Sequence, residues 1–177
     1  MMKVISTLLI ILSTSSLLSA QSLKPVNDGS EIQFTIKNFG LNVTGHFSGL
    51  TGTIQFDPSN LSTSSFNVSV DATTVNTGVD MRDNHLKKEE YFNTAKYPAI
   101  NFTSTHITGD ANGYTVSGRL TIKGTTKEIS FPFTAVRQGD GFIFSGNFSI
   151  NRKDFDLGGG SAVMGNNVDV SLKVFAK

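Results

Sequence analysis

Beyond residue 30 the chain alternates apolar and polar residues almost throughout. A period of two admits only β-strands with one dry face and one wet face. Ile32, Phe34 and Ile36 alternate with polar neighbours, as do Leu41, Val43, Gly45 and Phe47, then Gly52, Ile54 and Phe56. The pattern returns at Phe66, Val68 and Val70, at Ile100 and Phe102, and at Tyr114, Val116, Gly118, Leu120 and Ile122. It continues through Ile129, Phe131 and Phe133, through Phe142, Phe144, Gly146, Phe148 and Ile150, and ends at Val168, Val170, Leu172 and Val174. Parallel strands covered on both faces would show unbroken apolar runs instead, so the strands are expected to be antiparallel. Turn residues separate the runs, as in Asn38-Phe39-Gly40, Asp57-Pro58-Ser59-Asn60, Asp110-Ala111-Asn112-Gly113, Lys123-Gly124 and Gly139-Asp140-Gly141. Eight or more strands sharing one apolar face predict a sandwich or a closed barrel. No linker, composition shift or internal repeat marks a second domain.

Residues 77–88 break the alternation. Thr77 is a helix-capping residue type with Asp80 three positions on; Asp80 and Asp83 come early, Lys87 and Lys88 late, as the helix dipole prefers. This stretch predicts a short helical crossover lying over one end of the sheet.

The first twenty residues have the parts of a secretory signal peptide. Lys3 supplies the positive start, Val4 to Leu12 the apolar stretch, and Leu17-Leu18-Ser19-Ala20 the small residue before a cut. The stretch is shorter than the ~20 apolar residues of a membrane-spanning helix. It also resembles a lipoprotein cleavage box, but Gln21 stands where the lipid-bearing Cys would be. The expected product is residues 21–177, one domain, periplasmic or secreted, without stable membrane insertion. The chain has no Cys, which excludes a disulfide framework, a thiol nucleophile and Cys-ligated metal centres. A formal charge of +1 argues against a nucleic-acid partner. The residues leave the oligomeric state open, a homodimer included.

The inward positions are Phe, Ile, Val and Leu, interspersed with Gly45, Gly52, Gly118 and Gly146 and without a charge. Such an interior offers no nucleophile, acid or base. It is either a packed core, with glycines where strands bend, or the wall of a cavity for an apolar ligand, with glycines leaving room.

Several motifs resemble the YceI-like family: Gly78-Val-Asp-Met-Arg82-Asp83-Asn-His85-Leu86, Tyr91-Phe92-Asn93 and Tyr97-Pro98-Ala-Ile-Asn-Phe102. Gly118-Arg-Leu120-Thr-Ile122-Lys-Gly124 and Ile150-Asn-Arg152-Lys-Asp-Phe155 fit the same pattern. The chain departs from it at Lys37-Asn38-Phe39-Gly40, where the family often has Lys-His-x-Gly, and at Asp156, where a Gly often follows the Phe. The resemblance implies an extended, eight-stranded, antiparallel, lipocalin-like barrel in the periplasm that holds a polyisoprenoid, such as an isoprenoid quinone or a prenyl pyrophosphate. No cofactor other than that ligand is implied.

The expected apolar lining is Phe34, Ile36, Val43, Phe47, Ile54, Phe56, Phe66, Val68, Phe102, Leu120, Phe131, Phe133, Phe144, Phe148, Val170 and Leu172. Met81, Arg82 and His85 are candidates for the rim. Residues two apart on a helix do not face each other, so Asp83 and His85 make a poor acid–base pair and are expected to fasten the helix to the barrel. Arg152 is expected to form a rim salt bridge with Asp154, and Lys123 and Lys127 to be solvated turn residues. A metal site of His46, His85 and His106 has no supporting spacing. The resulting expectation is an exported protein that sequesters or carries an isoprenoid lipid without chemistry. Two rivals are an enzyme acting on such a lipid through His85 and Asp83, and a structural module whose barrel is filled.

Overall fold

A computed structural model describes residues 21–177 of the chain. The signal peptide expected over residues 1–20 lies outside the described residues. The strands are β1 (Gln21–Leu23), β2 (Pro25–Asn38), β3 (Leu41–Phe56), β4 (Ser65–Asn76), β5 (Ala99–Asp110), β6 (Gly113–Ile122), β7 (Thr125–Gln138), β8 (Gly141–Asn151) and β9 (Met164–Ala176). The helix α1 (Asp80–Leu86) joins β4 to β5. Short 3-10 turns occupy Leu61–Thr63 and Arg152–Phe155.

All pairings are antiparallel, in the order β3-β2-β9-β8-β7-β6-β5-β4, and β4 pairs back onto β3. The result is a closed eight-stranded barrel in which every pair except β2–β9 joins sequence neighbours, and β1 lies along the end of β3 outside the closed circuit. Closure leaves none of the eight barrel strands as a free edge over its full length.

The alternation assigns faces as expected except for a phase change on β3 and another on β5, where the inward residues pass from Ile100 and Phe102 to Ile107 across a bulge between Ser104 and His106. On β3 the inward residues are odd-numbered up to Phe47 and even-numbered from Leu50, which is buried, through Ile54 and Phe56. A bulge between Ser48 and Thr51 inserts the extra residue, and Gly49 accommodates it at φ 70°. Outward hydroxyls meet across strands, as in Thr51–Ser69 at 2.9 Å, Ser117–Ser130 at 3.0 Å and Thr121–Thr126 at 2.8 Å.

Two parts of the sheet carry no alternation signal. β1 is three residues long, and the first third of β2 is irregular. Asn27 holds that part to β3, accepting from the Leu50 N–H at 2.7 Å and donating to the Leu50 carbonyl at 3.2 Å.

The two ends of the barrel differ. At one end, Phe56, Phe66, Tyr114, Phe133, Phe142 and Phe144 pack mostly edge to face, with centroids 5.2–6.4 Å apart. Leu23 of β1 is fully buried in the same cluster. Hydrogen bonds between Lys24 and Lys177 in both directions lock the chain across this end. The other end carries the β2–β3 turn, the α1 crossover, the β6–β7 turn and the β8–β9 connection.

Candidate functional site

Toward that second end the barrel is hollow. The cavity measures about 230 Å³. Met164 to Val174 of β9 line it, a path of about 33 Å of strand, or about 25 Å along a barrel axis at ordinary tilt. It is therefore long and narrow. Inward residues such as Phe34, Phe47, Val68, Phe102, Phe148, Val170 and Leu172 point into the barrel yet are only half-buried, because part of their surface belongs to this space. The filled core and the cavity coexist, one at each end.

The structure gathers fourteen of the sixteen expected lining residues around the cavity: Phe34, Ile36, Phe47, Ile54, Phe66, Val68, Phe102, Leu120, Phe131, Phe133, Phe144, Phe148, Val170 and Leu172. Phe56 and Val43 are elsewhere. Phe56 is the centre of the ring cluster that plugs the far end, 2% exposed. Val43 lies beyond His46–Asn76, the last β3–β4 pair, where no β4 residue completes the wall.

The inward glycines make no room for a ligand, and none of the four lines the cavity. A Cβ on Gly118 would stand 2.5 Å from the Thr103 carbonyl oxygen and 2.7 Å from the Phe102 ring, beside the β5 bulge at Ser104–His106. A Cβ on Gly45 would collide with the Phe34 ring. These glycines let neighbouring backbone and rings lie close to the wall.

The mouth is built by residues without periodicity. Leu86 of α1, then Tyr91 and Phe92 after it, cover one side, with Phe92 edge-on to Phe47 at 5.3 Å. Arg152, Leu157 and Met164 cover the other. The two sides are joined, since the Gly158 N–H donates to the Glu90 carbonyl at 2.8 Å.

Arg152 is 1% exposed and no salt bridge with Asp154 forms, which corrects the expectation. The guanidinium turns inward instead and donates to five backbone carbonyls. Nε reaches Gly165 at 2.8 Å, Nη1 reaches Leu157 at 2.6 Å and Gly159 at 3.0 Å, and Nη2 reaches Ser161 at 3.5 Å and Met164 at 3.4 Å. The β8–β9 connection is thus wrapped around one buried cation, whose five N–H groups are all engaged. Asp156 takes φ 60°, the left-handed conformation for which Gly is the usual choice and which Asp tolerates. Its carbonyl accepts from Lys123 Nζ at 2.7 Å, so this lysine ties the β6–β7 turn to the mouth. Burial pushes the Tyr91 phenol pKa up; the charge of Glu90 adds to this and that of Arg152 opposes it.

None of the three rim candidates lines the cavity. Met81 is 84% exposed on the solvent side of α1. Arg82 donates through Nε to the Thr77 hydroxyl at 2.7 Å and through Nη2 to the Thr77 carbonyl at 2.9 Å. Thr77 in turn donates its N–H and hydroxyl to Asp83 Oδ1 at 2.8 and 2.5 Å. Its acidic partner is therefore Asp83, not Asp80, and the N-cap is Val79. This network fastens α1 to the end of β4. His85 is exposed, lies 3.5 Å from Glu90 and meets Tyr91 edge-on. His46 lies against Glu31 on the outer wall.

The YceI-like domain family matches residues 24–176, almost all of the described chain. The chain belongs to the YceI-like family. Relatives within it include a UPF0312 protein of Yersinia enterocolitica, 35% identical over 71% of this chain and 69% of that protein. Protein YceI of Escherichia coli is 33% identical over 71% and 70%. Among solved YceI-like structures, the Campylobacter jejuni YCEI protein is 28% identical, with a TM-score of 0.70 over 76% of this chain and 84% of that one. Two neighbours share the fold at lower identity. Burkholderia cenocepacia BcnA has a TM-score of 0.81 at 24% identity over 86% and 99% of the two chains. A polyisoprenoid binding domain from Saccharophagus degradans has a TM-score of 0.71 at 20% identity over 88% and 97%. Among the described residues of this YceI-like chain, no helix is long and apolar enough to cross a membrane.

Proposed function

We propose that the protein, once exported, binds an apolar isoprenoid lipid inside its barrel and sequesters or carries it without altering it. The observation that carries this reading is the long, narrow cavity walled by apolar side chains from Met164 down to Val174. Its shape suits a chain. Burying ~400 Å² of hydrocarbon at about 25 cal/mol per Å² supplies roughly 10 kcal/mol gross, of which lost ligand freedom removes a substantial part. A polyisoprenoid-binding neighbour with the same fold supports this ligand class.

The polar groups favour binding over catalysis. Arg152 and Tyr91 stand at the mouth, and Arg152 presents a charge but no free donor. That charge suits a polar or anionic head group such as a quinone or a pyrophosphate. Asp83 is occupied by Thr77, and His85 faces Glu90 outside the cavity. The reading invokes no cofactor.

Val170→Phe tests it. Val170 pairs with Phe34 and Phe148 and faces the cavity. The larger side chain enters open space, so the melting temperature is expected to hold while uptake of a polyprenol weakens about tenfold or more. Unchanged uptake in a folded variant, or no uptake by the parent at any chain length, would contradict the proposal.

A further inference from the structure

The β2–β3 turn exposes two large apolar side chains, one of them at a position that disfavours it. Phe39 and Gly40 take φ values of 50° and 76°. Consecutive left-handed residues make a type I′ turn, in which Asn, Asp or Gly is the ordinary first residue. A bulky residue at positive φ is disfavoured there. Phe39 is 74% exposed and Leu41 73%, so packing within the barrel does not offset that cost. Val163, also exposed, joins them: the Phe39 N–H donates to its carbonyl at 2.9 Å.

The position of this tip is specific. The last β3–β4 pair is His46–Asn76, so β3 runs on to Leu41 for about 17 Å of strand with no β4 beside it. The tip therefore stands clear of β4 at the cavity mouth. Phe34 and Ile36 of the same hairpin line the cavity, as does Met164 next to Val163. Apolar surface thus leads from inside the barrel to the tip. Residues 32–45 and 157–168, which build this side of the mouth, contain a single charged residue, Lys37. A charged protein surface would meet little here to pair with, whereas the interface of a lipid bilayer accepts a few protruding apolar side chains next to a lysine.

We infer that Phe39, Leu41 and Val163 insert into the surface of a phospholipid bilayer and hold the cavity mouth against it. This rests on the reading of the cavity as a lipid site, since it supplies the route by which a membrane lipid enters.

The chain contains no Trp, so Phe39→Trp introduces a single indole reporter at the tip. Parent and variants of identical N-terminus are mixed with phosphatidylcholine vesicles, with and without phosphatidylglycerol, free of isoprenoid. The expected result is a blue-shifted emission, quenched by brominated acyl chains, on both vesicle types and little affected by salt. A Phe39→Ser, Leu41→Ser double variant should bind vesicles about tenfold or more weakly and extract a polyprenol from them more slowly. It should still take up farnesol from solution like the parent, which shows that it is folded and its cavity intact. Absence of the blue shift with every vesicle would overturn the inference. So would unchanged polyprenol extraction by the double variant, or a blue shift that appears without vesicles and grows with protein concentration, which would assign the tip to a second copy. Failure of the parent to take up farnesol would overturn the lipid-binding reading, while insertion of the tip is scored independently by the indole.

Discussion

Replacing Arg152 should cost more than any surface charge of this protein, and the structure gives the amount. Three of its five bonds, to Leu157, Gly159 and Gly165, are 3.0 Å or shorter, and the other two are long and weak. A hydrogen bond to a charged group is worth about 1.5 kcal/mol at the low end, so three give about 4.5 kcal/mol. In Arg152→Met the exposed Gly159 carbonyl turns to water, while the Leu157 carbonyl, on a buried residue, and the Gly165 carbonyl, on a half-buried one, lose their donor. The net loss expected is about 3 kcal/mol, read by urea unfolding with an unchanged slope. Arg152→Lys should recover less than half, because one ammonium cannot span carbonyls on several sides of the loop. Asp154→Asn should change stability by no more than about 0.5 kcal/mol, since Asp154 is exposed and does not pair with Arg152. A loss below about 1 kcal/mol for Arg152→Met, or an equal loss for Asp154→Asn, would refute the carbonyl-wrapped cation and restore the rim salt bridge.

Gly118→Ala should destabilise the barrel by about 1–3 kcal/mol in thermal or urea unfolding, with or without lipid, because its methyl meets the Thr103 carbonyl; a neutral variant would show that β5 can yield. Asp57 accepts from the Ser59 hydroxyl and N–H, at 2.5 and 2.9 Å, which holds its carboxyl pKa below the ordinary 3.8. The folded value being the lower one, this contribution to stability is present above 3.8 and disappears as pH falls through the folded value. An NMR titration of the Asp57 carboxyl should give a midpoint below 3.8 that rises in Ser59→Ala, and a parental midpoint at or above 3.8 would contradict the assignment.

The wall of the barrel was legible because a strand repeats every two residues, and one inward residue announces the next. Phe144 and Phe148, Phe131 and Phe133, Val170 and Leu172 all follow from parity alone. Parity does not tell how far along the axis a side chain sits, so Phe56 in the plug looked the same as Ile54 in the cavity wall. Nor does it tell where a neighbouring strand stops, which is what removes Val43. The mouth was not legible, because Leu86, Tyr91, Phe92, Leu157 and Arg152 lie in connections with no repeat. A signal existed for two of them: Tyr91 and Phe92 are aromatic neighbours directly after the charged run Lys87-Lys88-Glu89-Glu90, a placement that calls for a buried contact. Arg152 gave a misleading signal, since a nearby Asp in the sequence suggested a pair while five carbonyls from residues 157–165 closed around it in space. The inward glycines misled for a related reason: an absent side chain marks space taken by a neighbour as readily as space left open.

Native mass spectrometry of the protein purified without detergent from its producing cells reads what the barrel holds. A population should carry one additional mass that fragments as an isoprenoid lipid, is released on unfolding and is depleted in Val170→Phe. A bare protein that also fails to acquire polyprenols of any length would contradict the lipid-binding reading, and would leave the cavity above the phenylalanine plug without a ligand.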